Sequence, residues 1–206
     1  MRRKIVFATG NTGKMKEIRE ILSDMDCDVV SMKEIGVDML IEENGTTFEE
    51  NAVIKARAVA KACGEIVLAD DSGLEVDWLD KEPGIYSARY MGEDTPYSVK
   101  NADIIKRLEG VPDEKRTARF RCAIAAVFPD GTEAITCGEI EGRIGYGEKG
   151  KNGFGYDPIF YVPEFGRTTA ELSDAEKNSI SHRGEALRKM KEELRKKLQE
   201  GKICEY

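Results

Sequence analysis

The stretch Ile66 to Val76 constrains the fold more than any other. Ile66-Val67-Leu68-Ala69 is a short apolar run, the pattern of a strand buried on both faces. Leu74-Glu75-Val76-Asp77-Trp78 alternates apolar and charged side chains, which also reads as strand. Between the two lie Asp70, Asp71, Ser72 and Gly73. Asp-Ser-Gly is a natural reversal of the chain. Yet Asp70 stands hard against the apolar run, where an ionised carboxylate is costly unless something positive compensates it. A divalent metal or a reacting water would supply the reason. A turn and a metal or catalytic site both fit these residues.

The 206 residues suffice for one large domain, or two intimate lobes, with a substantial core. A hydrophobic share of 40% and a charged share of 34% describe a globular chain. The net charge of −7 argues against broad binding to nucleic acid, which needs a basic footprint, but leaves room for a small phosphorylated ligand. No apolar run reaches membrane-spanning length and no signal-peptide hydrophobic region opens the chain, so no membrane partner and a cytoplasmic location are expected. Five cysteines are scattered without a CxxC pair and read as reduced, mostly packed thiols. With His182 as the single histidine, any metal would be held by carboxylates, which suits Mg²⁺ or, as a substitute, Mn²⁺.

Lys4 to Ala8 predicts a strand, and Met15, Ile18, Leu22 and Met25 then recur at helical spacing. The connection Thr9-Gly10-Asn11-Thr12-Gly13-Lys14 presents a glycine turn and a helix N-terminus with a lysine. It reads either as a phosphate cradle or as an ordinary capped turn. Asp28 to Met32 is a second strand, parallel to the first after the helix. Glu42 and Glu43 lie in an acidic turn, and Thr47 with Glu50 makes a capping box for the next helix. The loop from Asp80 to Glu93 is long enough to be functional, with Arg89 between aromatics suited to an anion. A helix follows with Val99, Ala102, Ile105 and Leu108 on one face. Thr117 to Phe128 alternates, Asp130-Gly131 signals a hairpin, and Glu133 to Ile140 returns, which makes the sheet mixed.

Residues 142 to 157 hold six glycines. Gly145, Gly147 and Gly150 match a dinucleotide fingerprint, and Gly145 to Lys151 matches a Walker-type loop with Asn152 in place of the hydroxyl. Both motifs need a helix directly afterwards, and Gly153 to Pro158 cannot start one. A mobile glycine loop remains, presenting Phe154, Tyr156 and Asp157 to a planar base or to the core. Ile159 to Val162 closes as a strand. Ser173 and Glu176 form a second capping box, and Leu187, Met190, Leu194 and Leu198 are the apolar stripe of a terminal helix.

Thr9 to Lys14, Thr47 to Ala52, Ala69 to Leu74, Pro83 to Arg89, Gly153 to Pro158 and Ser181 to Gly184 together resemble the inosine triphosphate pyrophosphatase family. The resemblance runs from the first strand to the last helix. It implies an α/β protein of one domain over residues 1–206: an elongated, two-lobed fold around a long twisted mixed β-sheet with flanking helices, the active site in the cleft between lobes. It also implies a homodimer, dependence on Mg²⁺, and hydrolysis of ITP, dITP and XTP to monophosphate and pyrophosphate. By position, Thr9, Gly10, Asn11, Thr12, Gly13, Lys14 and Lys55 would hold the triphosphate. Glu42 and Asp71 would serve the metal, with Asp71 as proton acceptor and Ser72 beside the substrate. Phe154, Gly155, Tyr156, Asp157, Lys177, His182 and Arg183 would surround the base, the Arg183 guanidinium donating to a 6-oxo group.

Two other classes compete. A nucleotide-binding regulatory module would use the same pocket without turnover, and the adjacent Asp70 and Asp71 weigh against it. A nicotinamide-dependent oxidoreductase built on Gly145 to Gly150 lacks the helix its motif needs.

Overall fold

The computed structural model describes residues 3–203, and side chains as far as Gln199. Cys204 lies outside the described residues; Cys27, Cys63, Cys122 and Cys137 form no disulfide among the described residues. In chain order the main elements are β1 (Arg3–Phe7), α1 (Thr12–Ile21), β2 (Cys27–Ser31), α2 (Phe48–Cys63), β3 (Ile66–Val76) and α3 (Tyr97–Arg107). They are followed by β4 (Thr117–Val127), β5 (Glu133–Ile144), β6 (Phe160–Val162), β7 (Arg167–Thr168), α4 (Asp174–Ile180) and α5 (His182–Ile203). The strands form one seven-stranded sheet in the order β2-β1-β3-β4-β5-β6-β7. Strand β1 pairs in parallel with β2 and β3, whereas β6 pairs antiparallel with β5 and β7, so the sheet is mixed. No helix among the described residues is long and apolar enough to cross a membrane.

Of the two readings that Asp70–Gly73 left open, the chain reversal does not occur. Strand β3 runs unbroken for 11 residues through Asp70, Asp71, Ser72 and Gly73. Strand β1 pairs with it only from Ile66 to Leu68, while β4 is its other neighbour in the sheet; inclusion in the sheet outweighs the local turn preference of Asp-Ser-Gly.

The chain divides into two compact units. The first comprises the chain up to Asp71, the segment Cys122–Gly138, and the chain from Arg183 on. Its core joins Ile5 and Phe7 of β1, Ile18 of α1, Leu68 of β3, Ile124 of β4 and Leu187, Met190 and Leu194 of α5. The second comprises Ser72–Arg121 and Glu139–His182, with a core of Leu74, Val76, Ile104, Leu108, Phe120, Ile159 and Phe160. The alternation expected along β4 holds for Ala118 and Phe120, but Ala123, Ala125 and Val127 are buried as well as Cys122, Ile124 and Ala126. That half of the strand is covered on both faces.

Helix α3 turns a different face inward from the one its apolar spacing suggests. Lys100, Asn101 and Ile104 are buried, and Val99 is 47% exposed. The polar pair is tolerated because its hydrogen bonds are made inside: Lys100 Nζ donates to the Ala88 carbonyl at 2.6 Å, and Asn101 Nδ2 donates to Glu148 Oε1 at 2.7 Å. The Thr47 cap of α2 is present, its hydroxyl accepting from the Glu50 N–H, but the reciprocal arm is displaced by one residue. The Glu50 carboxylate accepts from the N–H and hydroxyl of Thr46. The Ser173–Glu176 box is complete.

Candidate active site

The first unit assembles the Thr9–Lys14 connection, the candidate phosphate loop, and both aspartates. Strand β1 is buried at Ile5, Val6 and Phe7 and delivers the chain into Thr9–Lys14. Asn11 caps α1, its side chain accepting from the Lys14 N–H at 3.0 Å, while the Thr9 hydroxyl accepts from the Asn11 N–H at 3.1 Å. The first turn of α1 carries no acidic residue, so the positive end of the helix is uncompensated there. Lys14 reaches back to Asp70, with Nζ 3.0 Å from Oδ1 and 2.9 Å from Oδ2.

Asp70 is fully enclosed and doubly held. Arg183 Nε donates to its Oδ2 at 3.2 Å, and Arg183 Nη1 donates to Glu17 Oε2 at 2.5 Å. Burial opposes ionisation of Asp70, but Lys14, Arg183 and Lys55 outweigh it and hold the carboxyl far below the usual carboxylate range. Beside it, burial and then the charge of Asp70 push the Cys122 thiol well up, so it stays protonated.

Asp71 has the opposite character. Its Oδ2 accepts from Asn51 Nδ2 at 3.1 Å and its Oδ1 lies 3.4 Å from Lys55 Nζ. Lys55 in turn pairs with Glu43 at 2.7 Å. Burial raises the Asp71 pKa above its ordinary value; Lys55 lowers it and Glu43 raises it again. Two adjacent carboxyls are thus driven apart, one fixed as an anion and the other poised to take a proton. Glu42 is exposed, whereas Glu43 is partly buried against Lys55. Among the described residues no three His, Cys, Asp or Glu side chains come together as a ready metal cage. Carboxylate oxygens from Asp71 and the Glu42–Glu43 segment are nevertheless the donor type that magnesium takes, one or two at a time.

The second unit carries the aromatic set. Asp157 Oδ2 accepts from the Phe154 N–H at 2.8 Å and from Lys177 Nζ at 2.7 Å, while Oδ1 accepts from the Thr169 hydroxyl at 2.8 Å. Gly153 must be glycine: its φ is +74° and a Cβ would stand 2.1 Å from Asp157 Oδ2. Phe154 stays 37% exposed with Lys177 Nζ 4.9 Å from its ring centroid. Tyr156 is buried, donates to the Ser87 carbonyl at 2.8 Å and meets Tyr97 edge to face at 5.2 Å. Ser72 is half-buried, and Arg89 lies 5.0 Å over the Tyr86 ring. The His182 ring stacks on Phe120 at 4.9 Å. The preceding glycine stretch is anchored rather than loose: Lys151 and Asn152 donate from their backbones to the Ala170 carbonyl. No helix directly follows Gly150, so neither nucleotide fingerprint there is realised.

The family model described as the Ham1 family matches residues 5–193. The chain belongs to the Ham1 family. A relative from Desulforamulus reducens, named dITP/XTP pyrophosphatase, is 52% identical over 93% of this chain and 95% of its own. Another of that name from Bacillus subtilis is 49% identical, covering 91% and 95% respectively. Among solved structures, the Staphylococcus aureus Ham1 protein is 42% identical, with a TM-score of 0.85, over 95% of this chain and 100% of that one.

Within this Ham1 chain, several site side chains were not legible beforehand. Asn51 sits in the Thr47–Ala52 stretch but reads as an ordinary helical residue; its bond to Asp71 appears only in three dimensions. Glu17 reads as a solvated helix position and instead holds Arg183. Arg116 is fully buried and donates to the carbonyls of Ile144, Leu108 and Gly145, anchoring the entry to the glycine stretch. No local pattern announces a buried arginine satisfied by three carbonyls.

Proposed function

We infer that this chain hydrolyses non-canonical purine nucleoside triphosphates, dITP, ITP and XTP, to monophosphate and pyrophosphate. The observation that carries the reading is the division of labour between Asp70 and Asp71: one held ionised by Lys14 and Arg183, the other raised by burial beside Lys55 and Glu43. Cleaving a phosphoanhydride needs charge neutralisation, an oriented water and a proton acceptor. Thr9–Lys14 supplies N–H groups, a helix N-terminus and an ammonium for the first. Asp71, the carboxyl whose pKa lies above the ordinary value, is the acceptor. Lys55 offers a second ammonium next to it.

Mg²⁺, or Mn²⁺ in its place, belongs to this reading, with Asp71 and Glu42 as the residues that would hold it. Such an ion would neutralise phosphate charge and favour deprotonation of water. Glu43 keeps Lys55 in position. Phe154, Gly155, Tyr156, Asp157, Lys177, His182 and Arg183 are assigned to the base, Ser72 and Arg89 to the rest of the substrate. The resemblance also implies a homodimer, and a cytoplasmic location completes the proposal.

The test is a substrate panel. The protein is incubated with Mg²⁺ and ITP, dITP, XTP, GTP or ATP, and the products are separated. Monophosphate and pyrophosphate from dITP, ITP and XTP are expected. Diphosphate and inorganic phosphate would overturn the bond assignment, and substrate binding without turnover would leave only a regulatory module.

A further inference from the structure

Three lysines flank the phosphate loop or the aspartates, and they differ in how their charge is used. Lys14 is matched by Asp70, and Lys55 by Glu43 and Asp71. Lys33 is different. It opens the single helical turn Lys33–Ile35 directly after β2. That point is next to the end of β1, since the Met32 N–H donates to the Phe7 carbonyl at 3.0 Å. The adjacent acid, Glu34, is occupied: it pairs with Arg19 at 2.6 Å and accepts from the Ser31 N–H at 2.6 Å. Among the described residues Lys33 has no carboxylate partner.

The Lys33 side chain also lies across the phosphate loop. A Cβ placed on Gly10 would stand 3.1 Å from Lys33 Cε and 3.3 Å from Nζ. The ammonium therefore hovers over the glycine of Thr9–Lys14, at the carboxyl end of parallel strands, where open α/β sheets bind their ligands. A polyphosphate arriving there can use an ammonium paired with a carboxylate only as that pair loosens. It gains most from a positive charge with no internal partner.

We propose that Lys33 is a further binding residue for the pyrophosphate portion of the substrate, acting with Lys14 over Gly10. The assignment deepens the pyrophosphatase reading and rests on it. Lys33 contributes attraction for the anion and takes no proton in the reaction.

Binding of inorganic pyrophosphate with Mg²⁺, measured by calorimetry, tests this without turnover. A charge-assisted contact to phosphate predicts that K33A binds pyrophosphate about tenfold more weakly, or worse, and that K33R stays close to wild type. With dITP the KM of K33A should rise by a similar factor and kcat should fall less. The Tm should not move, because Lys33 is exposed. Wild-type pyrophosphate affinity and KM in K33A would overturn the proposal while leaving the pyrophosphatase reading intact. Tight pyrophosphate binding that depends on Lys33, without turnover of any triphosphate, would uphold Lys33 and sink the enzyme reading. A wild-type protein that binds no pyrophosphate would remove both.

Discussion

Successive residues in a strand point to opposite faces, which lets Asp70 and Asp71 live in different surroundings although they are neighbours. Asp71→Asn removes the proposed proton acceptor but keeps the shape, so kcat should drop by about 10²-fold or more. It also removes a carboxylate whose ionisation burial opposes, so the Tm should not fall. Asp70→Asn should do the reverse to stability. It leaves Lys14 without its counter-ion and Arg183 with Glu17, and breaking a buried pair in this way costs about 3–5 kcal/mol. Urea denaturation of both variants checks the contrast; equal destabilisation would mean the two carboxyls are not differentiated. The adjacent glutamates should separate as well. Removing the negative charge of Glu43 by E43Q should lower the Asp71 pKa in metal-free protein, followed by carboxyl NMR. E42Q should leave that titration in place and raise the Mg²⁺ concentration needed for activity. At this scale the sequence singled out Lys14 and Asp71 as candidates, because they sit inside short motifs. It hid the pairing of Arg183 with Glu17, residues that only the fold brings within 2.5 Å.

Elements were legible where one local signal dominated. The spacing of Met15 and Ile18 with the Asn11 cap yields α1, and Asp130-Gly131 yields the turn between β4 and β5, closed by the Gly131 N–H to the Phe128 carbonyl at 2.9 Å. They were misread where tertiary partners overrode the local signal. Strand β3 crosses a turn sequence as part of the seven-stranded sheet, and α3 buries Lys100 and Asn101 because loop carbonyls and Glu148 meet them. The two lysine-bearing glycine loops now have distinct mechanical roles. Thr9–Lys14 ends in the Asn11-capped start of α1, a helix N-terminus with no acidic residue in its first turn. By contrast, no helix directly follows Lys149, Lys151 and Asn152, whose backbone N–H groups bond Pro158 and Ala170. Lys14→Ala should therefore lower kcat/KM for dITP by about tenfold or more, the worth of one charge-assisted phosphate contact. Lys151→Ala should change it far less. A larger loss in Lys151→Ala would make the second loop the phosphate site and undo the assignment of the first.

Across the whole molecule, carboxyls with lowered pKa occur in both units. Glu34 is brought to about 2 by Arg19 and the Ser31 N–H, and Glu176 to about 2 by the Ser173 N–H, the Ser173 hydroxyl and Arg167. Asp77 also falls to about 2, where bonds from Lys81, Thr117 and Arg119 overcome its burial. Asp70 lies lower still, despite the largest burial. Each has a folded value below its unfolded one, so protonation favours the unfolded chain. Their contribution is present above the unfolded carboxyl range of about 4 and is lost as pH falls through the folded values. The urea midpoint should consequently decline between about pH 4 and pH 2. The exposed pairs of Glu34 and Glu176 are screened by salt, and the enclosed Asp70 cluster is not. High salt should thus flatten part of the decline and leave the Asp70 share. Because D70N has already lost that share, its stability should approach that of wild type as the pH drops through this window. A gap between the two proteins that stays constant from pH 7 to pH 2 would show that Asp70 is not held as an anion, and the division of roles between the two aspartates would fall with it.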